Sequence, residues 1–198
     1  MKVIGVTGRS GSGKNEVCRV LLEQGVKVLD VDAVGHDLLA SDTHLKQAVA
    51  RSFPESFVAA ENRIDRKTLG SIVFSNSAKL GILNALVHPR LALRVHELVE
   101  DERRIDTATL VLNAALLYEL GLQGLCDQVW AVLSPDDTLL ARLQRRGLAR
   151  ERALGQLAAQ RSEADYRHQA QVLIENNASL EVLRAQVLQA WRAVPDQV

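Results

Sequence analysis

No stretch of this chain is long and apolar enough to span a bilayer, and charge of neither sign dominates it: Lys plus Arg and Asp plus Glu each number 24. The balance excludes the overall field with which strongly basic proteins gather nucleic acid or anionic membrane, so neither is expected as a partner. Cysteine is scarce. Cys18 and Cys126 stand far apart without metal-ligand spacing. Cys18 falls on a helical pattern and reads as a small buried apolar residue, reduced as in the cytosol. Repeats and low-complexity linkers are absent. The first residues open directly on a core-strand pattern with no leader signature, so the expected location is cytoplasmic. Asn177-Ala178-Ser179 matches a glycosylation acceptor, a match without meaning in a protein that is not secreted. What is present is ample core material, 47% hydrophobic over 198 residues, enough for one main domain with a smaller insertion.

The most informative stretch is Gly8-Arg9-Ser10-Gly11-Ser12-Gly13-Lys14. It fills all but the last place of the phosphate-cradling pattern G-x-x-x-x-G-K-[ST], whose final hydroxyl reaches Mg²⁺. Here that place holds Asn15. The context fits the chemistry. Lys2 to Thr7 is a short apolar run that predicts a buried strand, and Val17, Val20 and Leu21 recur at helical spacing up to Gly25. Glycines between a strand and a helix N-terminus let backbone N–H groups converge on phosphate oxygens, with the helix adding partial positive charge. Lys14 is positioned to reach the β- and γ-phosphates of a nucleoside triphosphate.

Apolar runs alternate with helical segments, which predicts an α/β architecture around a parallel sheet. The expected strands are 2–7, 26–30, 109–113, 128–133 and 172–174. Residues 33–106 far exceed one crossover helix and are expected to form an inserted helical region. A second excursion, 136–162, carries Arg142, Arg145, Arg146, Arg150, Arg152 and Arg161. Leu180, Leu183, Val187 and Trp191 mark a closing helix over 181–194.

Taken together in order, the segments resemble the dephospho-CoA kinase family over nearly the whole chain. They are the opening from Gly5 to Lys14, the Asp30-Val31-Asp32 strand end, Ile64-Asp65-Arg66 through Leu69 with Val73-Phe74, and Leu83 to Val87 with His88-Pro89. Leu116-Leu117-Tyr118-Glu119, Arg142-Leu143 with Gln160-Arg161-Ser162, and Ile174-Glu175-Asn176 complete the series. The resemblance implies a P-loop kinase-like three-layer fold with a parallel sheet of about five strands, a helical acceptor-binding insertion (33–106) and an Arg-rich helical lid (136–162). It implies transfer of the ATP γ-phosphoryl group to the 3′-hydroxyl of the dephospho-CoA ribose, with Mg²⁺ accompanying ATP, in a monomer or weak homo-oligomer.

The implied ATP site comprises Gly8, Arg9, Ser10, Gly11, Ser12, Gly13, Lys14, Asn15, Arg142, Arg146 and Asn176, and the implied acceptor site Asp30, Asp32, Arg66, His88, Leu117 and Glu119. Such a transfer needs positioning and charge neutralisation, here by Lys14, the loop amides and lid arginines led by Arg142. Asp32 suits two roles, a helix N-cap or the general base for the acceptor hydroxyl, and the resemblance favours the base. Asp30 would orient it or hold the metal through water. His88 before Pro89 suits a cap or a packed ring, and by resemblance an acceptor contact. Arg66 would pair with a pyrophosphate oxygen or with Asp65. Asn176 would lie near adenine and shape the backbone there. Two positions depart from the family pattern: Asn15 stands for the loop Ser or Thr, and Asn113 for an Asp at the end of the third strand. Both remove features that favour a hard cation. Two alternatives follow, a kinase for another small alcohol and a nucleotide-binding relative without catalysis.

Overall fold

The computed structural model describes residues 1–74 and 76–195. These form two compact units: one is built from Met1–Asp30 and the chain from Val99 onward, the other from Val31–Leu98. The first unit opens with β1 (Lys2–Thr7), α1 (Lys14–Glu23) and β2 (Lys27–Asp30). The second follows with α2 (Val31–Ser41), α3 (Thr43–Ser52), the short pair β3 (Phe57–Val58) and β4 (Arg63–Ile64), α4 (Arg66–Val73), and α5 (Ser77–Arg104), whose end from Val99 belongs to the first unit. The first unit continues through β5 (Thr109–Asn113), β6 (Gln128–Leu133), α6 (Asp136–Arg145), α7 (Arg150–Ala158), α8 (Glu163–Gln169), β7 (Val172–Glu175) and α9 (Leu180–Arg192).

The first unit's sheet has the order β2-β5-β1-β6-β7, and every neighbouring pair is parallel. Its three central strands, β5, β1 and β6, are buried on both faces, which is why they read in sequence as nearly unbroken apolar runs and not as alternations, whereas the edge strands β2 and β7 are more exposed. On β1, Ile4 and Val6 enter one core with Val17, Cys18 and Leu21 of α1 and Leu183, Val187 and Trp191 of α9. Trp130 and Val132 of β6 join the same core, whereas Ala131 and Leu133 pack on the opposite face against Tyr166 of α8. Trp130 and Tyr166 are essentially sealed from solvent. Full burial of a large apolar side chain stabilises by about 1.5–3 kcal/mol, so these two layers hold the sheet rigid beneath the loops at its carboxyl edge.

The second unit has its own core, with Leu45, Val49 and Phe53 of the α3 segment against Ile64, Leu69 and Val73, flanked by Leu80, Leu83, Leu86 and Val87 of α5. Asp42 caps α3 by accepting from the Leu45 N–H at 2.9 Å, and Arg90 of α5 pairs with its other oxygen at 2.9 Å. These bonds, the helix cap first, hold the Asp42 carboxyl below its ordinary value. Among the described residues no helix is long and apolar enough to cross a membrane.

Two local expectations change. Pro89 lies deep inside α5, so His88 is neither a cap nor at a helix start. Asp32 lies in the first turn of α2, which begins at Val31, so it stands inside the helix and not at its cap. A carboxylate there is favourable against the helix dipole.

Candidate active site

The carboxyl ends of the parallel strands carry residues that the sequence singles out within the first unit: the glycine-rich loop after β1, Asp30 at the end of β2, Asn113 at the end of β5 and Asn176 after β7; Ser134 follows β6 at the same edge. In open parallel sheets this edge is where ligands collect.

The loop enters α1 through Gly13, which adopts the left-handed conformation at φ 102° and supplies no side-chain cap, unlike Asp42, Asp65, Ser162 and Ser179 ahead of α3, α4, α8 and α9. No side chain caps the N-terminus of α1, the end of a helix that favours an anion. A Cβ on Gly13 would sit 2.1 Å from Asn176 Nδ2, so glycine is required on steric as well as conformational grounds. Lys14 is buried, and its ammonium donates to the carbonyls of Gly8 at 2.8 Å and Arg9 at 3.2 Å, which arches the side chain along the loop.

The loop is braced from behind. Arg142 of α6 lays its guanidinium on backbone carbonyls: Nη1 donates to Gly11 O at 3.1 Å, Ser12 O at 3.3 Å and Ser134 Oγ at 3.0 Å, and Nη2 to Asn176 O at 3.0 Å. Burial, together with the adjacent Arg145 and Arg146, lowers its pKa. An Arg remains charged regardless. Asn176 donates from Nδ2 to Ser12 O at 2.7 Å, and the Ser134 hydroxyl donates to Asn176 O at 2.7 Å. Asn176 is 5% exposed. Arg142 and Asn176 therefore meet the loop at its carbonyls, where each shapes it. Arg146 caps the end of α6 through its backbone.

The front of the loop is tied to the Arg-rich excursion. Arg9 pairs with Asp136 and donates to Leu157 O at 3.1 Å. Ser10 is gripped by two glutamines: its N–H donates to Gln160 Oε1 at 2.9 Å, and its hydroxyl receives Gln156 Nε2 at 2.8 Å and Gln160 Nε2 at 3.0 Å. At the far end of the same excursion Arg161 pairs with Glu119 at 2.8 Å and stacks over the Tyr118 ring at 5.1 Å.

The two departures from the family pattern meet. Asn113 Nδ2 donates to Asn15 Oδ1 at 3.1 Å. Asn113 is 7% exposed. As for a cation, no group of three or more His, Cys, Asp or Glu able to hold one exists among the described residues. Asn15 Oδ1 is already engaged. The side chains here fit an ion delivered on a triphosphate and held by phosphate oxygens and water, and do not build a cage of their own.

The remaining expected residues divide. Leu117 is corrected: it is fully buried, and its methyl groups crowd the space above Gly5 of β1, so it is part of the sheet's core and has no surface to offer an acceptor. In the second unit, Asp65 caps α4, taking the Lys67 N–H at 3.1 Å and the Thr68 hydroxyl at 2.6 Å, which hold its carboxyl below the usual range. Both oxygens are used there, and Arg66 is exposed at the start of α4. His88 is half-buried in α5. Ser134, Asp136 and Gln156 were missed in the sequence. Ser134 follows a strand end directly before Pro135, a placement that could have flagged it, whereas nothing local marks Gln156.

A five-stranded parallel sheet with this loop between β1 and α1, a basic side chain arched inside it and an Arg-rich helical excursion beside it defines a P-loop kinase. A family model described as dephospho-CoA kinase matches residues 2–181. A dephospho-CoA kinase of Symbiobacterium thermophilum is 39% identical over 194 residues, covering 98% of this chain and 81% of its own length. Among solved structures, a Thermus thermophilus protein superposes with a TM-score of 0.80 at 34% identity, covering 97% of this chain and 96% of that one. The dephospho-CoA kinase from Campylobacter jejuni gives 0.71 at 26% identity over the same shares. The chain belongs to the dephospho-CoA kinase family.

Proposed function

We propose that this protein phosphorylates dephospho-CoA: the 3′-oxygen of its ribose attacks the γ-phosphorus of ATP, the bond to the β-phosphate oxygen breaks, and CoA and ADP leave. The observation that carries this reading is a phosphate loop complete from Gly8 to Lys14, with Lys14 buried against it, in a chain whose family match runs from residue 2 to 181. The loop amides and the N-terminus of α1 neutralise the triphosphate, and Lys14 exchanges its carbonyl partners for phosphate oxygens. Mg²⁺ entering with ATP would add charge neutralisation to the triphosphate, with Asp30 the residue that would hold it through water. Asp32, two residues beyond β2, is the proposed acceptor of the hydroxyl proton, with Asp30 orienting it. Arg66, His88 and Glu119 are proposed to contact the acceptor. Arg142 and Asn176 act as positioning residues, holding the loop carbonyls outward so that its N–H groups face the phosphates. With two free thiols and an ATP-dependent reaction, the proposed setting is the cytoplasm.

ADP release by the purified protein, with ATP and Mg²⁺, tests the reading. Release that depends on dephospho-CoA supports it. Release only with another alcohol, or ATP binding without turnover on any acceptor, refutes it.

A further inference from the structure

The Asn15–Asn113 contact joins residues 98 apart, the second residue of α1 and the last of β5. Asn113 faces Val6 of β1 on one side and Asp30 of β2 on the other in the strand register. Its amide is buried, and a buried amide donor needs a fixed partner. Asn15 supplies one. The pair is neutral, and it stands where the loop pattern calls for a hydroxyl and the family pattern for a carboxylate. Amide oxygens are weaker partners than carboxylates for a hard cation, and one of the two is already taken. The positive charge that does face the loop is covalently fixed, in Lys14 and the first turn of α1.

We infer that Asn15 and Asn113 act as one coupled amide pair in place of the hydroxyl and carboxylate that the family pattern puts at these two positions, so that this chain holds ATP with an affinity nearly indifferent to divalent cations. The inference rests on the nucleotide-binding reading above. Coupling has a specific consequence for restoration. With Asn113→Asp alone, Asn15 turns its NH₂ toward the new carboxylate and blocks it by a charge-assisted hydrogen bond. With Asn15→Thr alone, the hydroxyl returns but Asn113 stays neutral. Only the double change provides a hydroxyl and an unblocked carboxylate together.

The test is calorimetric titration of ATP, without acceptor, into the full chain in Mg²⁺ and in EDTA, for the parent, each single variant and N15T/N113D. The urea midpoint of each protein establishes that it is folded. The expected ratio of affinities between the two conditions is near one for the parent and for each single variant, and about tenfold or more for the double, a coupling of about 1.4 kcal/mol. A parent that already binds more than about tenfold tighter in Mg²⁺, or singles whose gains simply add to that of the double, overturns the inference while leaving ATP binding intact. Absence of ATP binding in every variant under both conditions overturns the nucleotide-site reading and the inference with it.

Discussion

Replacing Gly13 with Ala tests whether the phosphate loop is shaped from the far end of the chain. Two costs arise. The first is conformational: Gly13 sits at φ 102°, and a side chain in the left-handed region costs about 1–2 kcal/mol. The second is steric: the new Cβ would lie 2.1 Å from Asn176 Nδ2, forcing that amide off the Ser12 carbonyl, which it meets at 2.7 Å. Breaking a buried hydrogen bond of this kind costs about 1–3 kcal/mol. Gly25 provides the control, because it too has positive φ, 80°, but a Cβ there meets nothing within 4 Å. Gly25→Ala should therefore lose only about 1–2 kcal/mol and leave ATP affinity unchanged, while Gly13→Ala loses about 2–5 kcal/mol and weakens ATP binding. In Gly13→Ala/Asn176→Ala the collision is gone, so the Asn176 bond is lost once and not twice. The double variant should be less destabilised than the sum of its singles by about 1–3 kcal/mol. Urea unfolding with unchanged m-values and calorimetric ATP titration measure all four proteins. If Gly13→Ala matches Gly25→Ala, or if the double equals the sum, the proposed bracing through Asn176 is wrong.

Arg142→Lys removes the planar fork that spans four acceptors and should cost about 1–3 kcal/mol in the urea midpoint while weakening ATP binding more than turnover at saturation. A variant of parental stability with collapsed turnover would instead put Arg142 on the transferred phosphoryl group. Asp32→Asn should lower turnover by about 10²–10⁴ with little change in ATP affinity, and a parallel fall in both, read by steady-state kinetics and direct titration, would contradict its role as proton acceptor. Burial pushes the Cys18 and Cys126 thiols from 9.0 up to about 12. Because the folded values are raised, this contribution is complete below pH 9 and is lost as pH climbs toward 12, at about 1.4 kcal/mol per pH unit for each thiol. Cys18→Ala should flatten the alkaline fall in urea midpoint by about one such increment, and an unchanged slope would show that the unfolded and folded thiols titrate alike.

The sheet was legible because its central strands β5, β1 and β6 are buried on both faces and the short edge strands keep apolar cores. Each expected strand falls within a residue of the observed one, since a run such as Val3-Ile4-Gly5-Val6 has no polar position to blur its ends. Pro89 misled for the opposite reason: its local signature is that of a helix start, and the packing of Leu83, Leu86 and Val87 on the second unit's core carries α5 through it. Lys14 was legible from a motif whose residues are contiguous. The roles of Arg142 and Asn176 were not, because carbonyl acceptors carry no residue code, and any residue at Gly11 or Ser12 would present the same oxygen. Leu117 failed because an L-L-Y-E segment does not say which leucine turns inward; the vacant space above Gly5 decides it. The meeting of Asn15 with Asn113 needed the strand order, which brings β5 beside β1.

The bonds that shape the phosphate loop span 131 residues from Gly11 to Arg142 and 164 from Ser12 to Asn176. Contacts of such separation form late and slowly, after the intervening chain has been closed up. During synthesis the motif emerges well before either partner, and Asn176 reaches the Ser12 carbonyl only when β7 has joined the sheet beside β6. A nascent chain ending before Asn176 therefore carries every residue of the motif but lacks one of its braces, so ATP is expected to stabilise the completed molecule more than its earlier stages.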